Sequence, residues 1–454
     1  MIRHFYIDNF KSLVDFSLPP KPERLGQFTC LIGMNGTGKS TVLQAFDFVK
    51  QLTLTNGRMD NWLKVRDWKI KEICSHFQSE RLIAFRLEFE FPRFEIITWE
   101  GQFDPSRLHC TVESVKLGER DILKFAGGVV TYSTNNSDDK HQAQHLSFQG
   151  SVLSALLLDK AHPAIRSVQE FMRDLKSLDM LAPNLMRKRS SNAEDVGYGG
   201  ERLSAFLYGF APKISDHVLE VIQQFYPQVS EMIHTTSISD GLERLKDLAI
   251  VETYSGFGKE ELPESLLGKM GDDSTPRLNS GKLFSTISSD RFVNTRHLGD
   301  GMLRILSIVS QIEARDISKM AKDNKVAKNI LDIATKRGTL GIHNEYLALL
   351  FDEIENGIHP ELIEKLMAYL LEAEQQIIVT THSPMILNYL PDEVAKEAVI
   401  LLYRTEKGIT RCVRYFDLPS TQKKLKLLGP GEVFVDTDIS SLTLEAESLR
   451  GVIS

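Results

Sequence analysis

The run Gly33-Met34-Asn35-Gly36-Thr37-Gly38-Lys39-Ser40 narrows what this chain can fold into more than any other feature. It satisfies G-x-x-x-x-G-K-[ST] at every fixed position. Phe28-Thr29-Cys30-Leu31-Ile32 before it has the length and apolarity of a buried strand, and Thr41-Val42-Leu43-Gln44-Ala45-Phe46 after it continues as a helix. A strand, a glycine loop and a helix in that order aim backbone N–H groups and the positive end of a helix dipole at a polyphosphate. Lys39 is then placed for the β- and γ-phosphates and the Ser40 hydroxyl for Mg²⁺. Gly33, Asn35, Gly36, Gly38 and Thr41 complete the binding loop.

A hydrolytic site needs carboxylates opposite that loop. Tyr346 to Phe351 is an apolar strand that ends in Asp352-Glu353. Asp352 suits the Mg²⁺ shell, and Glu353 suits the task of taking a proton from an attacking water. In Glu355-Asn356-Gly357-Ile358-His359-Pro360, Gly357 permits a tight turn and Pro360 suits the first turn of the next helix. His382 follows another apolar strand, in Thr380-Thr381-His382-Ser383-Pro384, where it can bond the γ-phosphate or orient the water. Leu298-Gly299-Asp300-Gly301-Met302 is a glycine turn opening a helix. It reads either as an ordinary cap or as a second anion-binding helix N-terminus, one that completes a nucleotide site in a partner subunit.

The rest of the chain is that of an ordinary globular protein. Of 454 residues, 42% are hydrophobic and 25% charged, enough to bury a large core in two or three domains. The net charge of −7 argues against a general polyanion binder. Cys30, Cys74, Cys110 and Cys412 are far apart, which suggests a reducing compartment and no zinc or disulfide framework. No apolar run reaches membrane-helix length and the N-terminus lacks a signal-peptide layout, so a cytoplasmic protein without membrane contact is expected.

Alternating stretches Ile2–Leu18, Arg81–Phe91, Phe94–Trp99, Leu108–Leu117 and Gly127–Ser133 predict an antiparallel β layer. Asn61–Phe77 reads as helical and Thr134–His145 as a polar loop. Ser151–Leu158, Ala164–Leu178, Arg202–Leu207 and Ser215–Phe225 predict a helical insertion running to about residue 235. Met186–Ser191 followed by Gly197–Gly200 reads as a mobile connector, and Leu262–Gly281 as a loop. Helices and strands alternate again after residue 290, which indicates a largely parallel sheet. The expected organisation is residues 1–150 as the first part of the head, 151–285 as a compact and mainly helical insertion, and 286–454 as the second part.

P-loop, glycine-turn helix, Asp-Glu strand, turn and strand-end His, in that order, resemble the ATP-binding cassette of SMC and RecF-type ATPases. Asn9-Phe10-Lys11-Ser12 is similar to the opening motif of the same group. The resemblance covers residues 1–50 and 290–395 strongly and the middle weakly. It implies an α/β, ABC-type P-loop ATPase head with ATP and Mg²⁺ as cofactors. It also implies a homo-oligomer that sandwiches ATP, with Lys39 on phosphate, Ser40 and Asp352 on Mg²⁺, Glu353 as base and His382 as γ-phosphate sensor. Asp300 and Gly301 would reach across the dimer. One departure stands out: the usual signature opens Leu-Ser, whereas Gly299 here has no hydroxyl. Slow hydrolysis, suited to a switch, is the implication. Gln78 and Gln149 are the candidates for the family's glutamine loop.

The compact middle resembles the OLD-related ATPases of bacterial antiphage systems, and size and layout resemble the ATPase subunits of PARIS systems. That implies an oligomeric sensor that holds a separately encoded effector nuclease and releases it when a viral trigger protein appears, a toxin–antitoxin-like arrangement. A RecF-like DNA-repair ATPase is the alternative. Arg187-Lys188-Arg189 and the row Lys319, Lys322, Lys325, Lys328 are weak pointers to DNA, since acidic residues interleave with the row. Asp436-Thr437-Asp438 offers a spacing that a Toprim-like metal site would use, but such a fold needs more chain and an earlier glutamate on its own strand, so the tail is expected to complete the ATPase domain and dock a partner.

Overall fold

The structure, a computed structural model, describes residues 1–20, 23–54, 58–78, 82–134, 137–144, 148–156, 161–191, 193, 195–210, 212–238, 244–253, 277–278, 290–314 and 347–453. The chain divides into two units. The first holds Met1–Asp179, Tyr346–Ile354 and Leu370–Ser454, the second Met180–Glu345 and Glu355–Tyr369.

The first unit contains two sheets. One is antiparallel and eight-stranded: β1 (Ile2–Asp8), β2 (Phe16–Leu18), β4 (Ile83–Phe89), β5 (Ile97–Asp104), β6 (His109–Leu117), β7 (Arg120–Ala126), β8 (Val129–Thr134) and β9 (Ser137–Gln144), in the order β2-β1-β4-β5-β6-β7-β8-β9. The other is built from β3 (Phe28–Ile32), β10 (Lys176–Leu178), β15 (Ala348–Phe351), β16 (Gln376–Thr380), β17 (Val399–Arg404) and β18 (Thr410–Arg414). Its order is β10-β15-β16-β3-β17-β18, parallel throughout except for β18. The strands β3, β15 and β16 are buried at every position, as apolar strands covered on both faces must be.

Helix α1 (Lys39–Thr53) joins these sheets into one core. Phe46 stacks on Phe5 of β1 with ring centroids 4.1 Å apart, and Phe48 meets Phe103 of β5 edge-on at 5.3 Å. The helix also packs on β10. Each such phenyl ring taken from water stabilises the fold by about 2 kcal/mol. Helices α2 (Arg58–Val65) and α3 (Pro163–Asp174) pack on α1, and Pro163 starts α3 at the position where a missing N–H costs nothing.

The second unit holds α4 (Pro183–Met186), α5 (Leu203–Tyr208), α6 (Pro212–Phe225), α7 (Asp300–Glu313) and the first part of α8 (Pro360–Glu372). It also holds β11 (Val229–Ile238), β12 (Arg244–Thr253), β13 (Arg277–Leu278) and β14 (Asp290–Asn294), antiparallel in the order β13-β11-β12-β14. In the first unit, α9 (Pro384–Asn388), α10 (Asp392–Ala398), α11 (Pro419–Lys424), α12 (Pro430–Val435) and α13 (Ile439–Ile453) complete the chain. No helix among the described residues is long and apolar enough to cross a membrane.

Several expectations are corrected. The helix expected over Asn61–Phe77 stops at Val65, because Arg66 turns inward to buried carboxylates and Asp67 adopts φ 53°. The segment expected as a polar loop forms β9, whose polar residues give no apolar alternation to read. Leu178 is not helical: the helix ends at Asp174 and Lys176–Leu178 pairs with β15. Tyr226-Pro227 ends the helical part of the insertion, and β11 begins at Val229, before the expected end near residue 235. By contacts, β10 groups with the first unit, and α7, which packs on α6, groups with the second. Arg187–Arg189 is not a loose basic connector: Arg187 pairs with Asp300 at 2.6 Å and Arg189 with Asp247 at 2.9 Å. Most of Leu262–Gly281, and the lysine row from Lys319 to Lys328, lie outside the described residues.

The antiparallel layer carries a buried carboxylate. Glu113 on β6 accepts hydrogen bonds from Trp99 Nε1 (2.8 Å), the Val152 amide (2.8 Å) and Ser151 Oγ. Burial nevertheless pushes its pKa from 4.5 up to about 7. The folded chain therefore binds this proton more tightly than the unfolded chain. The resulting stabilisation is complete below pH 4.5 and is lost as the pH rises through about 7. Chemical unfolding at pH 5.5 and pH 8 checks this. The wild type is expected to lose on the order of 2 kcal/mol between them that Glu113→Gln, less stable throughout, does not lose.

Candidate functional site

The register of the parallel ladder assembles the site. Phe351 of β15 pairs with Val379 of β16, and Val379 pairs with Cys30 of β3. Asp352 and Glu353, Thr380 to His382 and the loop from Gly33 therefore leave the sheet at the same carboxyl edge, where open α/β sheets bind ligands. Neighbouring strands lie about 4.8 Å apart, so Asp352 and the start of the loop are roughly 10 Å apart across β16.

The loop is glycine-dependent for identifiable reasons. A Cβ on Gly33 (φ 148°) would run into the Leu402 carbonyl of β17. One on Gly38 (φ 106°) would lie 2.6 Å from Thr410 Oγ1. Gly38 caps α1 and, having no side chain, brings no cap hydrogen bond to the first turn of the helix. Lys39 is buried, and its ammonium lies within the loop, donating to Gly33 O at 2.8 Å and Met34 O at 3.1 Å. Met34, Asn35 and Gly36 are exposed at its rim, while Ser40 and Thr41 are half-buried in the first turn. This cradle of N–H groups around one ammonium fits a polyphosphate. Ser40 and Asp352 carry hard oxygen donors of the kind that Mg²⁺ takes.

Ser12, from the motif near the N-terminus, braces the loop from behind. Its hydroxyl bonds Thr410 Oγ1 at 2.8 Å, and Thr410 donates to Thr37 O at 2.9 Å. Asn9 and Lys11 hold positive φ of 63° and 49°. Lys11 Nζ lies 3.1 Å from the centroid of the Trp68 ring and donates to Gln44 of α1 at 3.0 Å. Burial, with Arg66 nearby, lowers its pKa to about 8. On the other side Arg404 Nε donates to Gly36 O at 2.7 Å.

The carboxylates are positioned by Thr380, a residue that sequence reasoning passed over. Its buried hydroxyl donates to Asp352 Oδ1 and accepts from the Glu353 amide at 2.9 Å. Glu353 sits at φ 47°, unusual for a residue with a side chain, and its carboxylate meets His382 Nε2 at 3.0 Å. The structure thus brings Asp352, Glu353 and His382 to the strand ends beside the loop. A Thr two residues before a strand-end His was the available signal.

Asp300 and Gly301 lie in the second unit and open α7. Arg187 Nη2 donates to Leu298 O at 2.7 Å and to Asp300 Oδ1 at 2.6 Å. A Cβ on Gly301 would lie 2.7 Å from the Gly357 carbonyl, and Gly357 has φ 73°, so two glycines let these turns meet. Gln78 donates to Asp8 at 3.1 Å. Gln149 stands two residues before Ser151, whose amide bonds Leu52 O, roughly 18 Å along α1 from Ser40. Asp436 pairs with Lys424 at 3.1 Å and Asp438 caps α13 through Ser440, so they form no strand-borne acidic pair of Toprim kind.

Comparison with known proteins places residues 136–388 under the family model described as "AAA domain, putative AbiEii toxin, Type IV TA system" and residues 1–172 under "AAA ATPase domain". A curated relative is the OLD nuclease of Thermus scotoductus (strain ATCC 700910 / SA-01), 28% identical over 178 residues. Those residues are 35% of this chain and 30% of the relative, so the chain spans under a third of that protein's length. Similar solved structures include the Smc head bound to the C-winged helix domain of ScpA, at TM-score 0.46 and 13% identity, covering 91% of this chain and 96% of that one. A second is the Smc head with an extended coiled coil bound to the C-terminal domain of ScpA from Pyrococcus furiosus, at 0.46 and 10%, covering 94% and 98%. The recombination mediator RecF scores 0.38 at 10%, covering 91% and 98%.

Thr380→Val tests the geometry, because it keeps the shape and removes the hydroxyl that orients both carboxylates. Phosphate release from ATP is expected to fall about tenfold or more in kcat, with KM for ATP little changed.

Proposed function

The chain belongs to the AAA-domain family whose description names AbiEii and type IV toxin–antitoxin systems, the family model covering more than half of its residues, and from that premise we propose that it is an ATP-hydrolysing switch of ABC type that holds and releases a partner protein. One observation carries the reading: Lys39, Ser40, Asp352 and the Glu353–His382 pair leave the sheet at one edge. Lys39 and the first amides of α1 bind the phosphates of ATP. Ser40 and Asp352 would hold Mg²⁺, which when bound would offset the negative charge of the phosphates. Glu353 accepts the proton of the attacking water, and His382 orients Glu353 and reads the γ-phosphate.

On the same reading, the turn at Asp300 and Gly301 closes over ATP held by a second copy, and the assembled state is a homo-oligomer. Gly299 offers no hydroxyl to that phosphate, so hydrolysis is slow and the ATP-bound assembly persists. The partner is a separately encoded effector nuclease released when a viral trigger protein binds, in antiphage defence. Likeness to an OLD nuclease and the toxin–antitoxin wording of the family support that choice.

The test is expression with the neighbouring genes and a tag on this chain. Lys39→Ala is expected to lose nucleotide binding. Glu353→Gln is expected to keep it while phosphate release falls by about a hundredfold or more. A stoichiometric partner that stays with wild type and Glu353→Gln alike before phage infection, and leaves the wild type but not Glu353→Gln after it, is the expected outcome. Retained phage protection in both variants overturns the reading. ATP-dependent, salt-sensitive DNA binding without a protein partner would replace it with a RecF-like repair role.

A further inference from the structure

One guanidinium is buried beside the phosphate-loop helix, and none of the roles assigned above uses it. Arg66 follows α2, and its side chain is 2% exposed. Its Nη2 donates to Asp47 Oδ2 at 2.8 Å and to Asp179 Oδ1 at 2.9 Å, and its Nη1 donates to Asp179 Oδ2 at 2.7 Å. Asp179 is therefore gripped by both prongs of the fork, and it is 2% exposed as well. Asp47 also accepts from Trp62 Nε1 at 2.5 Å and from Gln51 at 3.2 Å. The guanidinium carbon lies 5.4 Å from the Trp62 ring centroid and 5.1 Å from that of Trp68. Burial works against the charge of Arg66, yet the two carboxylates hold its pKa above the usual arginine value.

The positions of the two aspartates give this cluster its meaning. Asp47 stands seven residues after Ser40 in α1, two turns along the same face of the helix. Asp179 directly follows β10, whose Leu178 is in register with Phe351, the residue before Asp352. Arg66 thus bridges the helix that carries Ser40 and the strand beside the one that carries Asp352. With the ladder from β10 through β15 and β16 to β3, the bridge closes a circuit in which the loop is the link from β3 to α1.

Resting on the reading that Ser40 and Asp352 hold the Mg²⁺ of bound ATP, we infer that Arg66 is a positioning residue that sets the separation of those two groups by clamping Asp47 to Asp179. Mg²⁺ demands near-octahedral geometry and short bonds, so a small tilt of α1 is felt at the ion. A lysine carries the charge but has no planar fork, so it cannot grip both carboxylates in the same way. A buried ion triad that only stabilises the fold would affect nucleotide binding with and without Mg²⁺ alike.

The experiment uses the full chain and a fluorescent ATP analogue, titrated in EDTA and then with Mg²⁺, in wild type, Arg66→Lys, Asp179→Asn and Ser40→Ala. Thermal melting of each is followed alongside. Arg66→Lys and Asp179→Asn are expected to raise the Mg²⁺ midpoint about tenfold while affinity in EDTA changes by less than about twofold. Unshifted Mg²⁺ midpoints in both variants, with a Mg²⁺-sensitive wild type, overturn the inference alone. A wild type whose nucleotide binding ignores both Mg²⁺ and Ser40→Ala overturns the reading of Ser40 and Asp352, and the inference with it. Should Arg66→Lys fail to fold, Asp179→Asn decides the matter, because it keeps the shape of the site and removes one charge.

Discussion

The parallel pairing of β16 with β3 on one side and β15 on the other is the contact on which the site depends. The groups involved come from residues 33–41, 352–353 and 380–382, and nothing in the local chain brings them together. Hydrophobic burial does. Leu349, Leu350, Ile377, Ile378 and Val379 are fully shielded from water, as are Cys30, Leu31 and Ile32. At about 25 cal/mol per Å² of apolar surface, three such strands fix one register, because a slip of one residue would change every neighbour. Once the register is fixed, the loop, the carboxylates and the histidine have one edge at which to meet.

That edge is built at a cost in buried polarity. Thr380 is wholly shielded and spends its hydroxyl on fixing Asp352 and the Glu353 amide. Arg66, Asp47 and Asp179 form an ionic cluster under the phosphate-loop helix, and such clusters are often replaceable by apolar residues without loss of stability. Their presence there is therefore better explained by geometry than by stability. The positive φ of Glu353 belongs to the same account, since strain of about 1–3 kcal/mol persists where surrounding bonds over-determine a residue.

Sequence carried the site further than it carried the fold. Loop, strand-end carboxylates and histidine each follow a buried apolar run with a sharp end, and such runs are readable one residue at a time. Asp179 was invisible for the opposite reason: its strand has three residues, too few for any periodicity, and its preceding helix masks it. Thr380 was legible as part of a strand but not as a donor, because its role arises only from the register that sets it between Asp352 and Glu353. β11 was missed where Thr and Ser interrupt the alternation, and β12 because residues 248–251 run apolar without alternating. Arg187 and Arg189 look like a free basic patch in one dimension, and only the folded second unit reveals the carboxylates they meet.

On the proposed reading, the turn before α7 bears on how long an ATP-bound state can last. Asp300 occupies the first turn of α7, where the helix dipole favours a carboxylate, and Arg187 holds both that carboxylate and the Leu298 carbonyl. Its side chain is committed to shaping the turn. On the proposed reading, what the turn offers a phosphate is then backbone N–H groups, with no hydroxyl from Gly299. A hydrogen bond to a charged oxygen is worth about 1.5–3 kcal/mol. If that bond is stronger in the transition state than in the bound state, its loss slows hydrolysis by roughly 10- to 100-fold. A motor is handicapped by such a delay, whereas a protein that must hold its partner until a trigger arrives depends on it.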